Sequence, residues 1–409
     1  MRTRLVLALS LALASLCTAL AQPRSLELWH VFSLEADMIY AGLESFQQAH
    51  PDVRLEVRVL PFAELRTELV RAVATANVPD LVTIDNPELA SFAAQEALEE
   101  LSDLIEASDV ISPELYHPGP WSTVVWGGNI FGVPRDSNTL ALYYNVDMFE
   151  AAGLDPDAPP STWAELTAAA ATLTDPGSNV FGIAFSAIQS EEGTFQWLPI
   201  LYQAGGSLDD LSSPEAVAAL DFWANFVRSG YATRDVVTQR QYEAMNTFIA
   251  QSTAMVISGP WELPRLSAEA TFEWRLALLP VKEDVGVRAS ALGGFNWAIP
   301  IGAENRAGAF ELIEWMSQVD IMKESWVTGR LSPRIDTEVP DPAYPQAFAV
   351  YSEQMESATA RGPHPQWPEI SRAIQTAIQE ALTGVATTEQ ALEKAAGVVT
   401  PILERQPLR

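Results

Sequence analysis

The segment VRLEVRV at residues 53–59 alternates strictly: its odd-numbered positions are Val or Leu, and its even-numbered positions are Arg or Glu. A period of two with β-branched residues predicts a β-strand with one face in a core. Upstream, Ile39, Leu43 and Phe46 recur at helical spacing, and LELW at residues 26–29 opens as another strand. The chain therefore begins as strand, helix, strand.

The pattern continues downstream. Phe62, Leu65, Leu69 and Val73 return to helical spacing. LVTI at residues 81–84 is a continuous apolar run between turn-forming residues, which is typical of a strand buried on both faces of a parallel sheet. Alternating strands and helices predict an α/β fold.

Similar signals recur in the second half. Thr162 with Glu165 is a capping-box signature, and Ser213-Pro214 begins a helix whose buried face would hold Ala216, Leu220, Trp223 and Val227. Further strands are predicted at Leu140–Tyr144, Ala254–Ser258, Arg275–Leu279 and Phe295–Ile299, and terminal helices at Glu369–Leu382 and Glu389–Leu403.

Length and charge restrict the class of protein. A chain of 409 residues exceeds what one hydrophobic core usually supports, which predicts two domains. A formal charge of −29 argues against nucleic acid or an anionic membrane as partner, since both bind clustered Lys and Arg. The four histidines show no HxH or HExxH spacing, so no metal site is expected.

The N-terminus has the features of a secretory signal peptide. Arg2 and Arg4 precede the apolar stretch Leu5–Leu16, and Ala19-Leu20-Ala21 is a small-x-small cleavage site, so residues 1–21 are expected to be removed. The alternative is a buried N-terminal helix. Leu16 precedes Cys17, where a lipid anchor would need a small residue, so we expect plain export to the periplasm or the cell exterior. The mature chain would then lack cysteine, which excludes disulfides, thiolate nucleophiles and Cys-ligated metals.

Four motifs carry a resemblance to a known family: LYYN at residues 142–145, the AGL…PPSTWAEL stretch at 152–166, SGPW at 258–261 and GGFNWAIP at 293–300. With the longer segments IFGVPRDSNTLALYYN at 130–145 and AMVISGPWELPR at 254–265, they resemble the extracellular solute-binding proteins of ABC importers, which include the maltose-binding protein. The resemblance implies a two-lobed periplasmic-binding-protein-like fold with a ligand cleft between the lobes. It also implies a monomeric carrier without a cofactor, which delivers a small molecule to a membrane permease.

The resemblance further implies interleaved lobes joined by three crossovers, near Pro134–Thr139, Ala291–Asn296 and Arg330–Thr337. Residues 22–136 and 294–333 would form the first lobe, and residues 137–293 and 334–409 the second. Gly293-Gly294 suits a hinge, because glycine changes its backbone angles at low steric cost.

A sugar site needs aromatic rings for the flat C–H faces and polar groups for the hydroxyls. SGPW resembles the family segment whose tryptophan stacks on ligand, which makes Trp261 the first candidate; a core or surface tryptophan is the alternative. Trp29 and His30 end the first predicted strand, where open α/β sheets place ligand contacts, although both could be structural. Asp85 and Asn86 leave the third strand by the same argument, or form a turn.

The remaining candidates follow from the resemblance. Asp136 and Asn138 lie on the first crossover and could instead stabilise it, whereas the loop with Glu192 and Phe195 could be a solvated acidic loop. Phe295 and Asn296 lie on the second crossover. Arg330 and Arg334 lie beside the third crossover, and these two arginines could instead pair with nearby acids. Trp367 lies where the maltose-binding protein carries a stacking aromatic.

Three other functions stay open. A glycerol-phosphate ester would recruit Arg135, Arg330 or Arg334, and a polyamine would use aromatics with paired carboxylates. A secreted carbohydrate-active enzyme would need an acid/base pair, and 53 carboxylates make chance pairs certain, but no GxSxG, Walker or GxGxxG motif is present. The aromatic-rich, lysine-poor set of candidates favours a neutral sugar or polyol.

Overall fold

The computed structural model describes residues 24–31, 36–340 and 342–408, so the expected signal peptide and Cys17 lie outside the described residues. The β-strands are β1 Arg24–Val31, β2 Val53–Leu60, β3 Leu81–Asp85, β4 Val125–Trp126, β5 Asn129–Ile130, β6 Val133–Pro134, β7 Ala141–Asn145, β8 Phe181–Ala184, β9 Thr253–Ser258, β10 Trp274–Ala277, β11 Ser290–Leu292, β12 Phe295–Ala298 and β13 Ala358–Ala360. The α-helices are α1 Ala36–Ala49, α2 Phe62–Thr75, α3 Leu89–Ala94, α4 Ser102–Glu106, α5 Pro118–Ser122, α6 Val146–Ala151, α7 Trp163–Leu173, α8 Glu191–Gln203, α9 Pro214–Arg228, α10 Gln241–Ile249, α11 Leu263–Glu269, α12 Arg306–Met316, α13 Val319–Met322, α14 Pro345–Met355, α15 Trp367–Thr383 and α16 Thr388–Arg405.

The first sheet has the strand order β2-β1-β3-β12-β6. β1 runs parallel to β2 and β3, whereas β12 is antiparallel to β3, so the sheet is mixed rather than wholly parallel. The edge strand β2 leaves its charged positions in solvent, and β3 is buried along its whole length. Leu81 belongs to the core on one face of the sheet, and Val82 and Ile84 belong to the core on the other, which confirms the prediction from the apolar run.

The second sheet has the order β10-β7-β9-β8. β7 and β9 are buried along their whole lengths, as their apolar sequences require. A large core joins one face of this sheet to α8, α9, α15 and α16, and its fully buried side chains include Trp197, Trp223 and Trp367. We call the first sheet with its cores the first lobe and the second sheet with its cores the second lobe.

The local signals in the second lobe are confirmed. Thr162 and Glu165 form a reciprocal capping box at α7, and the Ser213 side chain accepts from the Ala216 N–H at the start of α9. Both terminal helices form, each one to two residues longer at either end than their apolar periodicity predicted.

The expected crossovers lie side by side. Ser137 exchanges backbone hydrogen bonds of 2.8 and 2.9 Å with Leu331, and Asn138 exchanges bonds of 3.0 and 2.9 Å with Gly293. We call these four residues the crossover ribbon. Slightly upstream of it, Trp326 packs in the second-lobe core beside Tyr351 rather than in the first lobe to which residues 294–333 were assigned. The exact lobe boundaries therefore stay a prediction.

Candidate functional site

A cavity of about 570 Å³ lies between the two lobes and extends to the crossover ribbon. This volume is within the range of small-molecule sites. First-lobe residues Val59–Ala63 and Asp85 line one side, with Gly294 and Phe295 from the second crossover. The other lining residues are Asn138, Glu191, Glu192, Phe195, Arg240, Gln241, Tyr242, Glu243, Trp261, Glu262, Gly293, Arg330 and Arg361.

Aromatic rings face the cavity from both lobes. Phe195 and Trp261 come from the second lobe, with ring centres 6.3 Å apart. Phe62 and Phe295 meet edge to face at 6.0 Å on the first-lobe side. The site therefore offers apolar walls on both sides of a bound molecule.

The strand-to-turn geometry of SGPW positions Trp261. β9 ends at Ser258, and a 3₁₀ turn at Pro260–Glu262 follows. A Cβ at Gly259 would lie 1.9 Å from the Trp261 ring, so the ring can occupy this place only beside glycine. The buried Tyr143 hydroxyl donates to the Gly259 carbonyl at 2.7 Å and fixes the turn from below.

An ion network at the cavity floor joins the two lobes. The Arg361 guanidinium donates to Asp85 at 3.0 and 3.3 Å and to Asn86 Oδ1 at 3.0 Å, all in the first lobe. It also donates to Glu191 Oε1 at 2.7 Å in the second lobe and lies 4.6 Å from the Phe195 ring centre. Arg361 itself is 4 % exposed, so these charge-assisted bonds form away from bulk water.

Burial raises the pKa of several acids near the floor. The pKa of Asp85 rises to about 6, because loss of water outweighs the attraction of Arg361, and Glu191 raises it further. Burial also raises the pKa of Glu262, which lines the cavity beside Trp261, to about 7 despite its bond to Arg265. Perturbed carboxyls in a cleft are typical of functional sites.

Arg330 and Asn138 form a second polar pair beside the crossover ribbon. The Asn138 amide fits its surroundings when its oxygen accepts from Arg330 Nη1 at 2.7 Å and from the Gly294 N–H at 3.2 Å. The Arg330 guanidinium lies 5.4 Å from the Trp261 ring centre, and burial lowers its pKa to about 9. This pair therefore connects the crossovers to the aromatic wall.

Gly293 and Gly294 are required at the floor for a steric reason. A Cβ on Gly293 would lie 2.1 Å from the end of the Asn138 side-chain amide, and one on Gly294 would lie 2.3 Å from the Asp136 carbonyl. Gly294 also has a φ of 138°, which side-chain-bearing residues rarely adopt. These glycines let the crossovers approach each other closely.

The structure brings half of the residues expected at the site to the cavity: Asp85, Asn138, Glu192, Phe195, Trp261, Phe295 and Arg330. Glu192 and Phe195 lie in helix α8 rather than in a loop as expected, and Glu192 accepts the Gln241 N–H at 2.7 Å, so it ties α8 to the start of α10 in addition to lining the cavity. The other seven do not line the cavity, and each has structural contacts.

Four of these seven belong to the first lobe. The Trp29 indole donates to Glu27 at 2.8 Å, and its ring is covered by Arg58 at 4.6 Å. His30 Nδ1 lies 3.2 Å from Arg135 Nη1. Asn86 holds Arg361 from behind the lining, and Asn296 exchanges hydrogen bonds with Thr123. These contacts correspond to the structural alternatives for Trp29 and His30, whereas Asn296 does not line the cavity floor as expected.

The remaining three belong to the crossovers and the second-lobe core. Asp136 accepts from Arg135 Nε at 2.7 Å and from the Phe295 N–H at 3.1 Å, so it joins the first two crossovers. Arg334 pairs with Asp336 and donates to two backbone carbonyls. Trp367 is fully buried, and its indole donates to Glu191 at 3.2 Å, so its ring packs in the core instead of facing the cavity.

Sequence reasoning missed several lining residues, notably Arg361, Glu191, Phe62, Tyr242 and Arg240. Glu191 and Phe62 had usable signals, because Glu191 neighbours Glu192 and Phe62 directly follows a predicted strand. Arg361 stands in an irregular segment after β13 that carries no periodic signal.

Within residues 24–31, 36–340 and 342–408, no three His, Cys, Asp or Glu side chains come together as a metal site. In that same part of the chain, no helix combines the length and apolarity that a membrane span requires.

The chain matches known proteins in sequence and in structure. The family model described as bacterial extracellular solute-binding protein matches residues 33–323. The sn-glycerol-3-phosphate-binding periplasmic protein UgpB of Salmonella typhimurium is 23% identical, and the alignment covers 98% of this chain and 97% of the relative. A solute-binding protein of Thermotoga lettingae bound with α-D-tagatose is 28% identical with a TM-score of 0.85, and maltose-bound T. maritima MalE3 is 25% identical with a TM-score of 0.83; each alignment covers 93% of this chain and 100% of the other.

These relatives are binding proteins rather than enzymes, and the two solved structures share the two-lobed α/β architecture described above. The chain therefore belongs to the bacterial extracellular solute-binding protein family, and it is a solute-binding protein of the ABC-transporter type.

Proposed function

We propose that this protein captures a carbohydrate, either a mono- to oligosaccharide or a polyol, in the cavity between its lobes and delivers it unchanged to an ABC permease. The observation that carries the proposal is the combination of aromatic walls from both lobes with a charged, hydrogen-bonding floor. Two structures at 25–28% identity, whose proteins are bound to tagatose and to maltose, support the same ligand class.

The chemistry of the cavity suits a sugar. Rings such as Trp261 and Phe62 can cover the apolar faces of a pyranose, while Asp85 and Arg361 can exchange hydrogen bonds with its hydroxyls. Bonds to charged groups contribute ~1.5–3 kcal/mol each, against ~1 kcal/mol for neutral partners.

Capture requires that the ligand contact both lobes at once. A ligand shifts a conformational equilibrium only by its differential affinity for the two states. Contacts to Asp85 on one side and Trp261 on the other would be complete only when the lobes are close. We propose residues 22–136 and 294–333 as the first lobe and 137–293 and 334–409 as the second, with Trp326 packed against the second-lobe core and with the crossover ribbon as hinge. The protein would act as an exported monomer, in the periplasm or outside the cell.

The balance of charge favours a neutral ligand over an anion. Five carboxylates and three guanidinium groups line the cavity, and the charge of Arg361 is shared by Asp85 and Glu191. A phosphate ester is the second candidate, because UgpB relatives align with almost the whole chain and Arg240 and Arg330 also line the cavity. A polyamine would use the carboxylates with the aromatic walls.

A thermal-shift screen of the mature protein tests the proposal. The panel holds mono-, di- and oligosaccharides, polyols, glycerol phosphates and polyamines. A ligand at ~1,000 times its dissociation constant should stabilise the fold by ~4 kcal/mol, which raises Tm by several degrees in a protein of this size. We expect the shift with a sugar or polyol that is recovered unchanged. A shift confined to glycerol phosphates or polyamines would replace the ligand class, and consumption of the sugar would make the protein an enzyme.

A further inference from the structure

Arg361 occupies a special place relative to the crossovers. β13 pairs in parallel with β11, and Ala360 lies opposite Leu292, so Arg361 directly follows this pairing beside Gly293 of the crossover ribbon. Its backbone is thus tied to the second crossover. Its side chain, by contrast, reaches first-lobe residues more than 270 positions away in sequence.

The partners of Arg361 are distributed over both lobes. Asp85 ends β3 in the first sheet, and Asn86 follows it. Glu191 begins α8 in the second lobe and is itself held by the Ser371 hydroxyl at 2.6 Å and the Trp367 indole at 3.2 Å. On the second-lobe side, the acceptor is therefore anchored in the lobe's core.

We propose that Arg361 is a positioning residue that holds the two lobes together across the cavity floor, through Asp85 and Asn86 on one side and Glu191 on the other. It acts before any ligand contact and biases the lobes towards the capture-competent arrangement. The inference concerns the same cavity as the proposed function but stands whatever the ligand is.

The geometry makes this bridge sensitive to lobe separation. Arg361 bonds Asp85 at 3.0 Å and Glu191 at 2.7 Å, and hydrogen bonds of this length are lost if the lobes move apart by a few ångströms. Arg361 could then keep its bond to only one of the two carboxylates. Removing one member of a buried ionic network leaves the others uncompensated. Arg361 therefore favours the arrangement in which Asp85 and Glu191 share its charge.

The test measures the separation of the lobes in ligand-free protein. Spin labels are attached to cysteines introduced at the exposed residues Thr67 and Ser267, one in each lobe, of the mature protein from residue 22 onwards, which contains no natural cysteine. Pulsed electron–electron double resonance then gives the distribution of distances between the two spin labels. We expect Arg361→Met to shift the mean distance between the labels to longer values. The population at the wild-type distance should fall at least fivefold, because coupling between two sites typically changes an equilibrium by about fivefold or more.

Two further variants distinguish an effect of the Arg361 bridge on lobe separation from a general loss of stability. Asp85→Asn keeps the shape of the partner but removes its charge, so it should shift the distance distribution in the same direction as Arg361→Met. The double variant that carries both substitutions should shift the distribution little further than Arg361→Met alone. Arg306→Met is the matched control, because Arg306 bonds Glu100 and Asp103 within the first lobe. The control should leave the distribution unchanged.

A distribution for Arg361→Met that superimposes on that of the wild type would overturn the proposal. If Arg361→Met does not fold, an unchanged distribution in Asp85→Asn overturns it equally. Because no ligand is present, this outcome is independent of whether the sugar screen succeeds.

Discussion

Substituting Trp261 by alanine tests the aromatic wall directly. The ring is half-buried, contacts Phe195 and Arg330, and faces the cavity. An aromatic side chain buries roughly 150–250 Å² in full, so a half-buried ring has about 100 Å² left for a ligand to cover, worth ~2.5 kcal/mol at ~25 cal/mol per Å². Partial collapse of the site reduces the loss, which gives an expected range of ~1–3 kcal/mol, or about 5- to 150-fold in Kd.

The assay is isothermal titration calorimetry with the sugar that gives the largest thermal shift. Trp315→Ala is the matched control, because Trp315 is also half-buried but packs against Phe46 and His50 in the first lobe, outside the cavity lining. The control should lose stability without losing affinity, and Trp261→Phe should retain part of the binding. A folded Trp261→Ala variant with wild-type affinity would refute the reasoning.

Two further predictions follow from the turn before Trp261 and from the buried acids. Gly259→Ala should displace the ring, since the new Cβ would lie 1.9 Å from it; ligand affinity should fall as in Trp261→Ala, and wild-type affinity with unchanged tryptophan fluorescence would contradict this. The raised pKa values of Asp85, to about 6, and Glu262, to about 7, mean that the folded state binds more protons than the unfolded state between about pH 4 and 7. The free energy of unfolding should therefore fall as pH rises through this window, less steeply in Asp85→Asn and Glu262→Gln. Chemical denaturation at pH 5 and pH 7.5 measures this slope, and a stability that rises with pH would contradict the assignment.

Local sequence patterns were sufficient for several of the helices and strands. The alternation in β2, the apolar run of β3 and the Thr162–Glu165 capping box each depend on neighbouring residues, and such signals survive without tertiary information. The order of strands in the first sheet does not follow from local patterns, because β12 pairs with β3 from more than 200 residues downstream. No periodicity carries that pairing, and the family resemblance was needed to expect interleaved lobes.

At the site, motifs predicted the lining residues better than position along a strand did. Trp261 and Phe195 were identified from motifs, and the structure places both rings on the cavity. Position at a strand end was a weaker guide: Trp29 and His30 end β1 but lie beneath the cavity wall, where Glu27, Arg58 and Arg135 contact them. A strand end gives the edge of the sheet but not the direction in which a side chain points.

Arg361 could not be predicted from the sequence because its role depends on long-range geometry. Its partners Asp85 and Glu191 are separated from it by 276 and 170 positions. The predicted residue in its neighbourhood, Trp367, was chosen for its aromatic ring, yet that ring is fully buried and supports Glu191. The resemblance pointed to Trp367, six positions from Arg361, which does not line the cavity.

A crystal structure of the mature protein with the sugar that gives the largest thermal shift tests the central claim most directly. We predict an intact sugar between the lobes, with a ring face on Trp261 and hydroxyls within hydrogen-bond distance of Asp85 or Arg361. A sugar bound elsewhere on the surface, with the cavity between Phe62 and Trp261 left unoccupied, would contradict the account.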